Sequence, residues 1–90
     1  MAIEFELSIL TPEKTVFEGT VEYVEVPGSE GYLGVLANHA PLVTGMQEGT
    51  LTLRTMDGRD THYRVNGGFF EVSKNRATVL ADAIEAESTK

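Results

Sequence analysis

Apolar and polar residues alternate with a period of two along most of this chain. Ile3, Phe5, Leu7 and Ile9 alternate with Glu4, Glu6 and Ser8, which predicts an opening strand with one buried and one wet face. Thr11-Pro12-Glu13-Lys14 reads as a turn, because Pro12 fixes φ and has no N–H to extend a ladder. A second strand starts at Val16 and resumes through Val21 to Val26, with Gly19 predicting a bulge or a bend at a sheet corner. Pro27-Gly28-Ser29-Glu30-Gly31 is the clearest loop signal. Beyond it the pattern predicts strands over 32–36, 42–44 and 50–56. Asp57-Gly58 predicts a two-residue hairpin to a partner strand over 62–65. Strands over 69–72 and 77–80 follow, separated by the Lys74-Asn75 turn.

Eight to ten short strands with no long helix imply two packed sheets or a small barrel. Residues 1–84 form one domain in this reading, and 85–90 a short tail. Asp82 to Glu87 has helix-forming composition but is too short to hold a helix alone. At Phe69-Phe70, adjacent strand residues point to opposite faces, so both rings cannot enter one core. One ring is expected between the sheets. The other lies outward, against a partner or under a covering loop or terminus.

Composition narrows the function classes. Ninety residues suffice for one small domain, and 41% hydrophobic residues is ordinary for a globular one. There is no Cys, which excludes disulfides and thiolate metal sites and makes a reducing compartment the simplest home. The N-terminus carries acids where a signal peptide needs positive charge, and no apolar run is long enough to span a membrane. Net charge is −7, concentrated as −6 in residues 1–30 and balanced at zero over 61–90. Glu4, Glu6, Glu18, Glu22 and Glu25 read as a solvated outer sheet face, which would repel a nucleic-acid backbone.

Catalytic chemistry is hard to find. His39 and His62 sit in no metal-ligand spacing, and no nucleophile accompanies them; His39, on a loop before Pro41, suits a structural or interface role. Glycines at 28, 31 and 34 imitate a phosphate loop, yet no strand-loop-helix unit or Lys-Ser/Thr pair follows. The residues alone describe a binding or structural module with no catalytic, metal or cofactor site.

Spaced motifs then carry a family resemblance. Gly28-Ser29-Glu30-Gly31 with Leu33-Gly34, His39-Ala40-Pro41-Leu42, Gly49, Gly67-Gly68-Phe69-Phe70-Glu71-Val72 and Ala77 to Ala83 occur in one register over the whole chain. In them the chain resembles the epsilon subunits of F-type ATP synthases. The resemblance implies an all-β, ten-stranded sandwich of two packed sheets, acting as a non-catalytic rotor part between the gamma subunit and the c-ring. It implies ring contact for the loop Gly28, Ser29, Glu30, Gly31 and Tyr32, and gamma contact for Thr11, His39, Pro41, Val43, Thr44 and Met46. With such a gamma surface, Val43, Met46 and one of Phe69 and Phe70 are expected to be more exposed in the isolated chain than their apolarity warrants. Tyr32 and Ala37 depart from the family pattern, so the backbone of the ring-facing loop transfers better than its side chains. No cofactor, nucleic acid or small-molecule substrate is implied. The expected location is peripheral, at the cytoplasmic face of a bacterial inner membrane. Most members continue into a C-terminal pair of helices that can restrain ATP hydrolysis; if 90 residues is the natural length, coupling without that restraint follows. Two rivals stay open. A glycan- or peptide-binding sandwich would need an aromatic platform, and a small cupin-like enzyme would need converging histidines.

Overall fold

The computed structural model describes residues 3–87, and these form strands without a helix. Seven strands are present: β1 (Phe5–Leu10), β2 (Thr15–Gly28), β3 (Gly31–Val35), β4 (Leu42–Met46), β5 (Gly49–Thr55), β6 (Asp60–Ser73) and β7 (Arg76–Ala86). The all-β class is as expected; the strand count is seven where the resemblance implied ten. The difference comes from three strands that cross between layers. One layer is built from β1, β4, the first half of β2, the last part of β6 and the first part of β7. The other holds β3, β5, the second half of β2, the start of β6 and the end of β7. Each layer therefore contains five strand segments, and hydrogen bonding continues around both corners. We refer to them as the first and second layers.

Each crossing shifts the alternation by one residue, which is what a bulge does to a strand. In β2, Val21 faces inward before the crossing and Val24 and Val26 after it, with the register shift between Val21 and Tyr23. Gly19 is not the corner. It pairs regularly with Leu7, and a Cβ there would stand 3.3 Å from the Phe17 ring. In β6, Val65 faces inward on one side of the corner and Phe70 and Val72 on the other. Gly67 and Gly68 make that corner with φ of 78° and 116°, a region that L side chains rarely adopt. A Cβ on Gly68 would also collide with the Leu80 carbonyl oxygen.

The core lies between the layers. Phe5, Leu7, Ile9, Phe70, Val72, Ala77 and Val79 of the first layer meet Val24, Val26, Val35, Leu51, Leu53 and Val65 of the second. No polar residue is buried among the described residues, as expected where few polar groups could find partners inside. Three local expectations change. Ile3 precedes β1 and is exposed, so the buried alternation begins at Phe5. The β5–β6 loop has four residues, Met56-Asp57-Gly58-Arg59, closed by Thr55 N–H donating to Arg59 C=O, with Gly58 at φ 84°. That is a turn followed by a glycine bulge in place of a two-residue hairpin. The segment from Asp82 onward continues β7 to Ala86, where Glu85 and Ala86 pair with Arg64 and Tyr63. The acidic residues also divide between faces, because β2 changes layer: Glu6 and Glu18 lie outside the first layer, Glu25 outside the second.

Candidate docking surfaces

On the outer side of the first layer the alternation places a row of apolar side chains where water would be. Gly45 on β4 pairs with Phe69 on β6, Phe69 with Leu80 on β7, and Leu80 with Leu10 on β1. Phe69 is 61% exposed and Leu80 49%, while Leu10 is half-buried. Val43, 70% exposed, sits diagonally from Phe69 across Gly45, within reach of one aromatic ring on a sheet. The side chain missing at Gly45 leaves the flank of Phe69 open. Contiguous apolar exposure of this kind marks an interaction surface, whereas scattered exposed leucines do not.

Beside this row the turn after β1 is held firmly. Thr11 Oγ1 donates to Lys14 C=O and accepts from the N–H groups of Glu13 and Lys14, and Thr11 N–H donates to Lys14 C=O at 2.9 Å. Leu10, Thr11 and Pro12 thereby wall a cleft with Phe69, Leu80, Ala81 and Asp82.

The loop 28–32 forms the tip of the β2–β3 hairpin, with Ser29 and Glu30 exposed and Gly31 at φ 127°. Its base is braced from three directions. Ser29 N–H donates to Gly45 C=O and Gln47 N–H to Pro27 C=O, both at 2.9 Å, and the Gln47 side-chain amide donates to Gly28 C=O at 2.8 Å. Tyr32 turns its hydroxyl back to accept Thr50 N–H at 2.9 Å. Gly49 makes room for this packing: a Cβ there would come within 2.6 Å of the Tyr32 hydroxyl and 2.7 Å of Pro27. The result is a polar tip on a rigid stem.

The residues expected on one side separate into three places. Thr11 and Val43 border the apolar row. His39 and Pro41 lie on the β3–β4 loop, where Asn38 N–H donates to Asn75 Oδ1 at 2.7 Å beside the β6–β7 turn. That is the opposite end of the first layer from Thr11, since Glu6 pairs with Arg76 and Leu10 with Leu80. Thr44 is half-buried with its hydroxyl 3.5 Å from that of Ser29. Met46 overturns its expected exposure: it is 7% exposed and belongs to the core. Val43 and Met46 differ by three positions, so a strand sends them to opposite faces. Leu10 and Leu80 were missed, although their positions betray them. Each falls on the polar side of its strand's alternation, opposite Ile9 and Val79.

The second layer's outer face is polar and self-paired. Arg54 Nε donates to Asp60 at 2.8 Å and the guanidinium lies 5.6 Å from the centre of the Tyr23 ring. His62 Nδ1 stands 2.9 Å from the Thr52 hydroxyl, and Arg64 reaches Glu48 at 3.1 Å. The hydrogen bond from Arg54 holds the Asp60 carboxyl below its ordinary range, and that from the Thr55 hydroxyl does the same for Asp57. Neither histidine joins a group of three or more potential metal ligands among the described residues.

Comparison with known proteins agrees with the all-β fold. The family model of the ATP synthase delta/epsilon chain β-sandwich domain matches residues 4–87. The chain is 48% identical over 82 residues to the ATP synthase epsilon chain of Protochlamydia amoebophila, covering 91% of this chain and 56% of that one. It is 40% identical over 87 residues to the chloroplastic epsilon chain of Tetradesmus obliquus, covering 97% and 63%. A chain in the cryo-EM structure of the Euglena gracilis mitochondrial ATP synthase OSCP/F1/c-ring assembly superposes with a TM-score of 0.90 at 20% identity, over 96% of this chain and 55% of that one. At such identity the likeness concerns the fold alone. The chain spans little more than half the length of the Protochlamydia relative.

Proposed function

The chain belongs to the ATP synthase delta/epsilon-chain β-sandwich family, and we propose that it serves there as a rotor part of the central stalk, joining the gamma subunit to the c-ring. In this role it performs no chemistry of its own and transmits torque between two partners. The observation that carries the reading is the contiguous apolar row Leu10–Leu80–Phe69 with Val43, exposed on the outer face of the first layer. A permanent partner is the economical way to cover such a face, and gamma is the one we assign to it. Thr11 borders the same contact, His39 and Pro41 offer a second one at the far end of the layer, and Thr44 and Met46 support β4 from within.

The tip Gly28, Ser29, Glu30, Gly31 and Tyr32 faces the ring in this proposal. Its small polar residues suit a polar loop surface, and its braced stem suits a contact that bears load. Because one hydrogen-bonded sheet runs through both layers, force entering at the tip reaches the gamma face without passing a flexible joint. Attachment to the membrane is then peripheral, at the cytoplasmic face of a bacterial inner membrane; among the described residues no helix is long and apolar enough to cross one.

A tagged copy recovered from membranes of the source organism tests this. Gamma and the c subunit are expected to co-purify, and a Ser29→Cys variant to cross-link to a cysteine placed in the polar loop of the c subunit. Recovery of the tagged chain without gamma would sink the proposal.

A further inference from the structure

The cleft beside the apolar row has a chemistry more specific than the row itself. It measures about 240 Å³ and is lined by Leu10, Thr11, Pro12, Phe69, Leu80, Ala81 and Asp82. Its only polar side chains are those of Thr11 and Asp82. The Thr11 hydroxyl is committed to the turn that follows β1. Asp82, by contrast, is exposed and takes part in no hydrogen bond or ion pair recorded among the described residues. Its carboxylate is seated against the backbone of the β6 corner. A Cβ on Gly67 would lie 2.7 Å from Asp82 Oδ2, so the space that holds the carboxylate exists because residue 67 is glycine.

Resting on the gamma-docking reading, we propose that this cleft receives a lysine or arginine side chain of gamma, its aliphatic stem on Leu10, Phe69 and Leu80 and its cationic head at Asp82. An apolar slot with one carboxylate on its rim is complementary to an amphipathic cation, which buries its stem and keeps its charge at the edge. A purely apolar occupant would leave Asp82 desolvated and unpaired, at a cost in free energy. An anionic occupant would meet Asp82 together with Glu18 and Glu71 on the same outer face, in a chain of net charge −7. Asp82 is thus the residue that selects the register of the partner, and the apolar row supplies affinity.

Titration of the purified chain against the gamma-containing F1 assembly of the source organism, stripped of this subunit, separates the two ideas. Wild type, Asp82→Asn, Phe69→Ser and the opposite-face control Glu25→Gln are compared at low and high salt, with urea midpoints confirming that each is folded. Asp82→Asn is expected to weaken binding about tenfold at low salt and to flatten the salt dependence, with Glu25→Gln unchanged. If Phe69→Ser weakens binding while Asp82→Asn matches wild type at both salts, the cleft proposal fails and docking stands. If Phe69→Ser binds as wild type, or wild type does not bind, the docking reading itself fails.

Discussion

The two outer faces of this sandwich obey the same alternation and end in opposite states. Outside the second layer three sets of polar side chains have neighbours of matching chemistry: Arg54 with Asp60 and Tyr23, Thr52 with His62, Arg64 with Glu48. Outside the first, Phe69, Leu80 and Val43 stand exposed with Leu10 beside them. Exposed pairs of the first kind contribute little to stability, so their value lies in keeping that face wet and free of partners. The comparison teaches where to look for a partner. In a small all-β domain the informative face is the one that leaves its outward positions apolar, since the core itself looks alike on both sides.

The sharpest way to break the contrast is to treat Phe69 and Phe70 alike. They are neighbours in sequence and identical in chemistry, yet Phe70 is fully buried and Phe69 largely exposed. Phe70→Ala should cost about 3–5 kcal/mol of unfolding free energy, a large share of what a domain this size holds. Phe69→Ala should stay within about 0.5 kcal/mol of wild type while weakening attachment to gamma by about thirtyfold or more. Urea denaturation of the two variants decides it: equal destabilisation would mean that Phe69 is a core residue and that the first layer has no docking face.

A second test concerns the corner that sets which ring points outward. Gly68 adopts a φ of 116° where its Cβ would strike the Leu80 carbonyl. Gly68→Ala should therefore cost about 2–3 kcal/mol, whereas Gly45→Ala, with only one neighbour at 3.9 Å, should cost far less. Comparable midpoints for the two would show that the corner is not the element that orients the row.

The same corners mark the limit of what could be read in advance. Within any one segment the alternation was legible: Phe5, Leu7 and Ile9 inward, Glu6 and Ser8 outward, Leu51 and Leu53 inward. Across a bulge the phase is lost, because one extra residue exchanges the two faces. That is why the bend in β2 was sought at Gly19 when it lies between Val21 and Tyr23; Val43 and Met46 share one regular strand, and it was the family resemblance, against the alternation, that grouped them. The orientation at Phe69-Phe70 was recoverable by counting back from Val72 and Glu71, which lie beyond the corner. The bracing of the tip was not recoverable, since the contacts of Gln47 with Gly28 and of Tyr32 with Thr50 join segments that only the fold brings together.

The smallest expected effect belongs to the polar face and sharpens the comparison from its other side. Asp60 is held below its ordinary carboxylate range by the hydrogen bond from Arg54, which outweighs an opposing desolvation, with a smaller contribution from the Arg54 charge. A carboxyl whose folded value is depressed stabilises the fold at any pH above its unfolded value of about 3.9, and that contribution fades as pH falls through the folded value. Asp60→Asn should accordingly lower the urea midpoint slightly at about pH 6, and the gap to wild type should close at about pH 2. The pair is exposed, so salt should shrink the gap as well. A gap that persists at low pH would mean that Asp60 acts by packing and not by charge, and the self-pairing of the second layer would lose its electrostatic basis. No such dependence on pH is expected for Phe69→Ala, whose only stake is in a surface awaiting a partner.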